Sequence, residues 1–188
     1  MLASIGRLAA SFFFSRIAGN RKDITLFIPT LAYQLALYHP EIHDAVGLVV
    51  ERDPSIFSRT LMTQIRALIV QPFNIAAEDP SKKAIMLERQ NIVVLDGLDG
   101  CGDARSQREV LEALATSVKY LSMPLLFLIT SRPEQQICLA FSKEELESQT
   151  LVVTLDENFD PDDDIHIFLK STFDEIKQDH PFGPHLPS

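Results

Sequence analysis

Asn91-Ile92-Val93-Val94-Leu95-Asp96-Gly97-Leu98-Asp99-Gly100-Cys101-Gly102-Asp103 is the stretch whose reading decides the fold. Four apolar residues, three of them β-branched, run straight into two carboxylates and three glycines, with Asp103 closing the stretch. The run is too short for a helix and too apolar for an edge, which predicts a buried parallel strand. In open α/β sheets the carboxyl ends of the strands border the ligand crevice, and Asp96 and Asp99 stand at that end. A carboxylate there can hold a magnesium ion, which takes oxygen ligands and keeps most of its waters. A strand closing in a plain Gly/Asp turn has the same composition, so the stretch needs support from the rest of the chain.

The whole sequence bounds what that support can be. At 188 residues the chain is expected to form one domain with a real core, and its 46% apolar content is that of an ordinary globular protein. A net charge of −9 argues against non-specific binding to nucleic acid or to anionic membranes. Cys101 and Cys138 are too few for a disulfide framework or a cysteine-rich zinc site. No apolar run approaches a membrane span, and the first residues lack the basic start of a signal peptide. The expected location is the cytoplasm.

Outward from the central stretch, the pattern alternates. Upstream, the Phe-rich run Leu8 to Phe14 predicts a buried strand closed by Ser15 and Arg16, followed by a basic turn at Gly19 to Asp23. Ile28, Leu31, Leu35 and Tyr38 have helical spacing that should stop at His39-Pro40, because a residue before proline is pushed away from the α region. A second helix through Ile42, Val46, Val49 and Val50 follows. Asp53-Pro54 reads as the cap and first position of a third, with a stripe of Phe57, Leu61, Ile65, Leu68 and Ile69 ending before Pro72. Ala76 to Glu88 reads as a linker. Downstream, Ser106-Gln107-Arg108-Glu109 has the form of a capping box, opening a helix with Val110, Leu111, Leu114, Val118 and Leu121 on its buried stripe. Pro124 to Ile129 predicts another strand, and Thr150 to Leu155 one more after a short helix. The last helix opens at Asp160 to Asp164, whose acids complement the helix dipole, and His180 to Ser188 is expected to fray. Strands alternating with helices imply an α/β fold with a mostly parallel sheet and helices on both faces.

Several of these segments together resemble one family. Gly6 to Arg16, with Ile28-Pro29-Thr30-Leu31-Ala32-Tyr33-Gln34-Leu35 after it, is similar to the second strand and following helix of fungal NACHT domains. Asp53-Pro54-Ser55-Ile56 and Leu68-Ile69-Val70-Gln71-Pro72 match the next recurring segments. Asp96-Gly97-Leu98-Asp99 resembles the Walker B element, and Thr130-Ser131-Arg132-Pro133 the sensor 1 element. The set is similar as well to the nephrocystin-type N-terminal modules of STAND proteins, which are nucleotide-operated signalling switches. The resemblance implies a P-loop NTPase fold over 6–178, ahead of a disordered tail at 179–188. It implies roles too: Asp96 as the magnesium-side acid, Asp99 as the second, catalytic acid, and Arg132 as the sensor of a nucleotide's γ-phosphate. ATP and Mg are the cofactors of the intact family.

Two departures qualify the inherited roles. No Gly-x-x-x-x-Gly-Lys-Ser/Thr loop occurs in the sequence; in the family it precedes the Phe-rich strand, where only Met1 to Ile5 stand. Gly100 occupies the place where similar sequences carry a Glu able to orient the attacking water. The expectation is therefore an incomplete P-loop fold lacking its first strand. Since the family orders its strands 5-1-4-3-2, the remaining core should read 4-3-2, with the 151–155 strand either detached or paired directly to strand 4. Function should be that of a truncated module, without hydrolysis or bound cofactor, acting through protein partners or self-association. The alternative is part of an active switch whose P-loop lies upstream. A haloacid-dehalogenase-type phosphohydrolase would want Asp-x-Asp, one residue shorter than Asp96 to Asp99, and an EF-hand would want an oxygen ladder that is absent.

Overall fold

The computed structural model describes residues 8–15, 24–155 and 161–179. The chain divides into two compact units, Met1–Thr150 and Leu151–Ser188. The expected basic turn at Gly19 to Asp23, the expected frayed tail from His180, and Met1 to Ile5 all lie outside the described residues.

Three parallel strands organise the first unit: β1 (Leu8–Phe13), β2 (Ile92–Asp96) and β3 (Leu126–Ile129), in that spatial order. This is the expected 4-3-2 core. Phe12 stands beside Leu95, and Leu95 beside Ile129, so the apolar run of the central stretch is flanked on both sides. Val93 and Leu95 are fully buried, together with Ala10 and Phe12 of β1. The pleat sends alternate residues to opposite faces. On the other face Phe13, Leu126 and Leu128 stay half exposed or more.

The outer edge of β1 is closed by a side chain. Gln34 accepts from the Ser11 N–H at 2.8 Å and donates to the Ser11 carbonyl at 2.9 Å, so its amide imitates one rung of a neighbouring strand. Unpaired strand edges invite foreign chains, and this contact removes one such invitation. Gln34 lies on α1 (Phe27–Tyr38), which packs along β1 and buries Phe27, Ile28, Leu31 and Leu35. Phe27 sits edge-on to Phe12, with ring centroids 5.4 Å apart. Complete burial of one such ring contributes about 1.5–3 kcal/mol.

His39 alone separates α1 from α2 (Pro40–Arg52), as its place before Pro40 predicts. The third helix is more divided than its stripe suggests. Asp53 caps a single tight turn, Pro54–Ser58, in which Ile56 rather than the expected Phe57 is buried. Thr60 then caps α3 (Leu61–Ile65) by accepting from the Thr63 N–H. Pro72 does not end the run. The turns widen over Arg66–Val70, where Gln71 N–H reaches back five residues to the Arg66 carbonyl, and α4 (Gln71–Ala77) carries Pro72 buried inside it. A wider turn moves carbonyls away from the proline ring and accommodates its missing N–H. Ala76 to Glu88 is not a linker either. Asp79 accepts from the Ser81 and Lys82 N–H groups and opens α5 (Pro80–Glu88), which buries Met86.

After β2 the chain makes one tight turn at Leu98–Gly100 and enters α6 (Ala104–Val118). Its cap is Asp103, three residues before the expected Ser106. The Asp103 carboxylate accepts from the Ser106 N–H and hydroxyl, both at 2.8 Å, which makes Ser106 the third helical residue. Those bonds, backbone N–H first, hold the Asp103 carboxyl below the usual range. Beyond β3 come α7 (Gln135–Phe141) and α8 (Glu144–Glu147).

The second unit corrects one expectation. Leu151–Leu155 has the composition of a strand but forms none, and all five residues are exposed, Leu151 at 89%. A strand exists only through hydrogen bonds to a neighbour, and among the described residues the sheet ends at β3. The last helix, α9 (Pro161–Asp179), forms as expected, with Ile165, Phe168, Leu169 and Ile176 exposed. Among the described residues no helix is long and apolar enough to cross a membrane.

Candidate functional site

The carboxyl ends of β2 and β3 are laced together by hydrogen bonds. Thr130, the residue after β3, donates its hydroxyl to Asp96 Oδ1 at 2.5 Å and accepts from the Gly97 N–H at 3.0 Å. Its own N–H donates to the Leu95 carbonyl, and its carbonyl accepts from the Leu98 N–H. Gly97 turns the chain here with φ of +68°, a left-handed conformation. A Cβ on it would stand 3.2 Å from the Phe14 carbonyl oxygen, so a side chain there would be both strained and crowded. Phe14 N–H in turn donates to the Asp96 carbonyl, bringing the end of β1 to the same place.

One turn later Asp99 meets Arg132. The Arg132 N–H donates to Asp99 Oδ1 at 3.2 Å, and Arg132 Nε lies 3.7 Å from Oδ2. The Asp99 side chain is only 12% exposed, whereas that of Arg132 is 77% exposed. Asp96, Asp99 and Arg132, the three residues singled out from sequence, are therefore gathered at one end of the sheet. Asp96 is exposed, and its second oxygen is free of any bond to Thr130. Gly100 is buried, with its N–H donated to the Gly97 carbonyl.

Two residues the sequence reading passed over hold the turn in place. Gln107, buried on α6, donates to the Asp99 carbonyl and the Cys101 carbonyl, both at 3.1 Å, and accepts from Gln136 Nε2 at 2.6 Å. Gln107 sits three residues before Val110, on the apolar stripe itself. A polar residue at a core position is a signal that buried polar groups await a partner. Thr130 was visible only as part of a motif. Cys101, inside the turn, is fully buried, and burial pushes its thiol up to about 12.

An open recess beside the turn is lined by Asp99, Gly100, Asp103, Gln107, Glu134 and Gln136 among others. Among the described residues its lining carries three carboxylates and no Lys or Arg, a charge balance that disfavours the triphosphate of a nucleotide. No group of three metal-ligating side chains occurs among the described residues. A water-rich magnesium ion needs only one or two carboxylates, and Asp96 has the exposed oxygen for one such bond. These residues do not by themselves fit a nucleotide.

No curated protein and no solved structure matches the chain. A family model does match, over residues 1–132, and its description is Nephrocystin 3, N-terminal. The matched region runs from β1 through β3 to Arg132, so it takes in the whole sheet and both laced strand ends. On that match over most of its length, together with the parallel α/β sheet, this chain belongs to the nephrocystin 3 N-terminal family.

Proposed function

We propose that the chain is an interaction and regulatory module of a NACHT-type STAND signalling protein and does not hydrolyse nucleotide on its own. The observation that carries this reading is the engagement of Asp99. Both of its oxygens face Arg132, through the backbone N–H and the guanidinium, and the acid is largely sheltered from water. A general base must reach a water molecule at hydrogen-bond distance. Asp99 is turned toward its partner instead, and Gly100 beside it has no group to substitute. The interaction half of the reading rests on β3, whose Leu126 and Leu128 are 65% and 52% exposed on an edge that carries no charge. Edges of that kind recruit other chains. The cytoplasm is the proposed location.

A second reading is favoured by one observation: Asp96, Asp99 and Arg132 are assembled at the ligand end of the sheet. It makes the chain part of an active ATP- or GTP-hydrolysing switch whose phosphate loop is encoded upstream. An in-frame Gly-x-x-x-x-Gly-Lys-Ser/Thr segment in the preceding coding DNA would favour it.

Calorimetry with ATP and Mg on the full chain, paired with a phosphate-release assay, tests the first reading. No micromolar Mg-dependent site and no turnover are expected. Turnover abolished by Asp99→Asn would overturn it.

A further inference from the structure

His39 is fully buried, yet both of its ring nitrogens are partnered. Nε2 lies 2.8 Å from Asn91 Oδ1, and Nδ1 lies 3.3 Å from Arg89 Nη1. The proton can be placed by following the chain of bonds. Asn91 uses its amide Nδ2 to donate to the Pro124 carbonyl at 3.1 Å, which leaves its oxygen as an acceptor toward His39. Nε2 must therefore carry the hydrogen. Nδ1 is then the acceptor, facing a guanidinium that can only donate. The ring is neutral and held in one tautomer.

Glu41 stands at the hinge of this arrangement. Its Oε2 accepts from Arg89 Nη1 at 2.8 Å and lies 3.8 Å from His39 Nδ1. Arg89 also donates to the Tyr38 carbonyl at 3.2 Å. Around the imidazole, α1 contributes the Tyr38 ring and α4 the Phe73 ring, both edge-on. The charged groups facing it are Glu41 from α2 and Arg89 from the turn between α5 and β2.

We propose that His39, Glu41 and Arg89 form a proton-operated exchange. A proton taken up at His39 Nδ1 moves Glu41 from Arg89 to His39 and releases the turn that leads from α5 into β2. The geometry dictates the steps. A hydrogen on Nδ1 would point at the Arg89 N–H, donor against donor and cation against cation. An acceptor within reach of it is Glu41 Oε2, 3.8 Å away. Once Glu41 turns to the imidazolium, Arg89 has lost its carboxylate and faces a like charge. Its side chain is already 32% exposed, so it can swing into water, giving up the Tyr38 carbonyl as it goes. The segment Arg89–Asn91 then keeps the Tyr38 hydroxyl bond to the Gln90 carbonyl and the Asn91 bonds at the base of the sheet. Burial, the largest influence, holds the His39 pKa below its ordinary value, and Arg89 acts in the same direction. The exchange therefore belongs to mildly acidic conditions.

The test uses the full 188-residue chain with ¹⁵N-labelled histidine. Long-range nitrogen–proton spectra at pH 7.5 should show His39 neutral with its proton on Nε2. Its titration midpoint should rise in Arg89→Gln, which keeps an N–H donor without the charge, and fall in Glu41→Gln, each by about half a unit to one unit. Amide exchange at Ile92, whose N–H donates to the Gln90 carbonyl at 3.1 Å, should quicken at least about tenfold below that midpoint after correction for intrinsic pH dependence, as local opening does. Both variants alter partly exposed side chains, so the test does not depend on the stability of a His39 substitution. A proton on Nδ1 at pH 7.5 would overturn the proposal. So would equal midpoints in the two variants, or exchange at Ile92 that ignores the titration.

Discussion

Replacing Gln107 by leucine isolates the device that fixes the Asp99 turn. Leucine keeps most of the volume and the helix propensity, so what changes is hydrogen bonding. The Asp99 and Cys101 carbonyls each lose a donor at 3.1 Å, and Gln136 loses its acceptor at 2.6 Å. Cys101 and Gly100 are buried, so water does not readily restore what is lost at the inner carbonyl. A buried polar group left without its partner costs about 1–3 kcal/mol, and the greater apolarity of leucine returns part of that; a net loss of roughly 2–4 kcal/mol follows for the two carbonyls together. For a chain of this size that corresponds to a fall of about 4–16 °C in Tm. Urea unfolding should show an earlier midpoint with an unchanged slope, since the folded surface stays the same. Gln136→Ala alone should cost about 1 kcal/mol, and the double variant should fall short of the sum, because both singles remove the same contact. A Gln107→Leu loss below about 0.5 kcal/mol, the range of ordinary surface changes, would refute the reasoning. It would mean that the turn is held by its own backbone bonds, Gly100 to Gly97 and Cys101 to Leu98.

Four further outcomes are expected. Gly97→Ala should destabilise by about 1–2 kcal/mol in urea, since it puts a Cβ into a left-handed residue against the Phe14 carbonyl; a neutral result would mean that the turn relaxes freely. Gln34→Ala should lower stability by about 1–3 kcal/mol by unpairing Ser11 on the β1 edge, and should increase light scattering on heating. Under native conditions a thiol reagent should modify exposed Cys138 and spare Cys101 until the chain unfolds, because the Cys101 thiol is buried and pushed up to about 12. Stability should also drop in mild acid. The folded His39 pKa is lowered by burial, so its contribution is complete above the ordinary value of 6.5 and erodes as pH falls below it, a slope that Arg89→Gln should reduce.

The sequence was most legible where one property serves both composition and fold. The Ile92–Leu95 run is too apolar for an edge, and β2 is indeed flanked by a strand on either side, with Asp96 at its end. The segmentation of the helices was harder because several cap signals compete locally. Asp103 and Ser106 both suit an N-cap, and only the turn from Gly102 decides that the earlier one is used. Asp79-Pro80 carries the same signal as Asp53-Pro54, and the charge around it concealed a helix with one buried residue, Met86. The polar web of the candidate site was less legible still. Thr130 reaches Asp96 across 34 positions of sequence, and Gln136 reaches Gln107 across 29. Those meetings are created by the crossover from β2 to β3, so no local pattern announces them.

The two edges of the sheet show what composition can and cannot convey. Leu8–Phe13 and Leu126–Ile129 both read as strands that want cover. For β1 the chain supplies it: Gln34, 23 residues on, pairs with both backbone groups of Ser11. For β3 the hydrogen-bond pattern sends the Leu126 and Thr130 N–H groups into β2, toward the Asn91 and Leu95 carbonyls. By the alternation of a parallel ladder, Phe127 and Ile129 then point their N–H and C=O groups outward. Leu126 and Leu128 lie exposed beside them, and Leu151–Leu155, the segment with the composition to serve as a fourth strand, is in no sheet. Apolar sequence records what a strand requires of its surroundings, not whether this chain provides it. That difference is the physical ground for the interaction proposed above: among the described residues, Ser11 on the β1 edge finds its partner within the chain, and the outward groups of β3 show none.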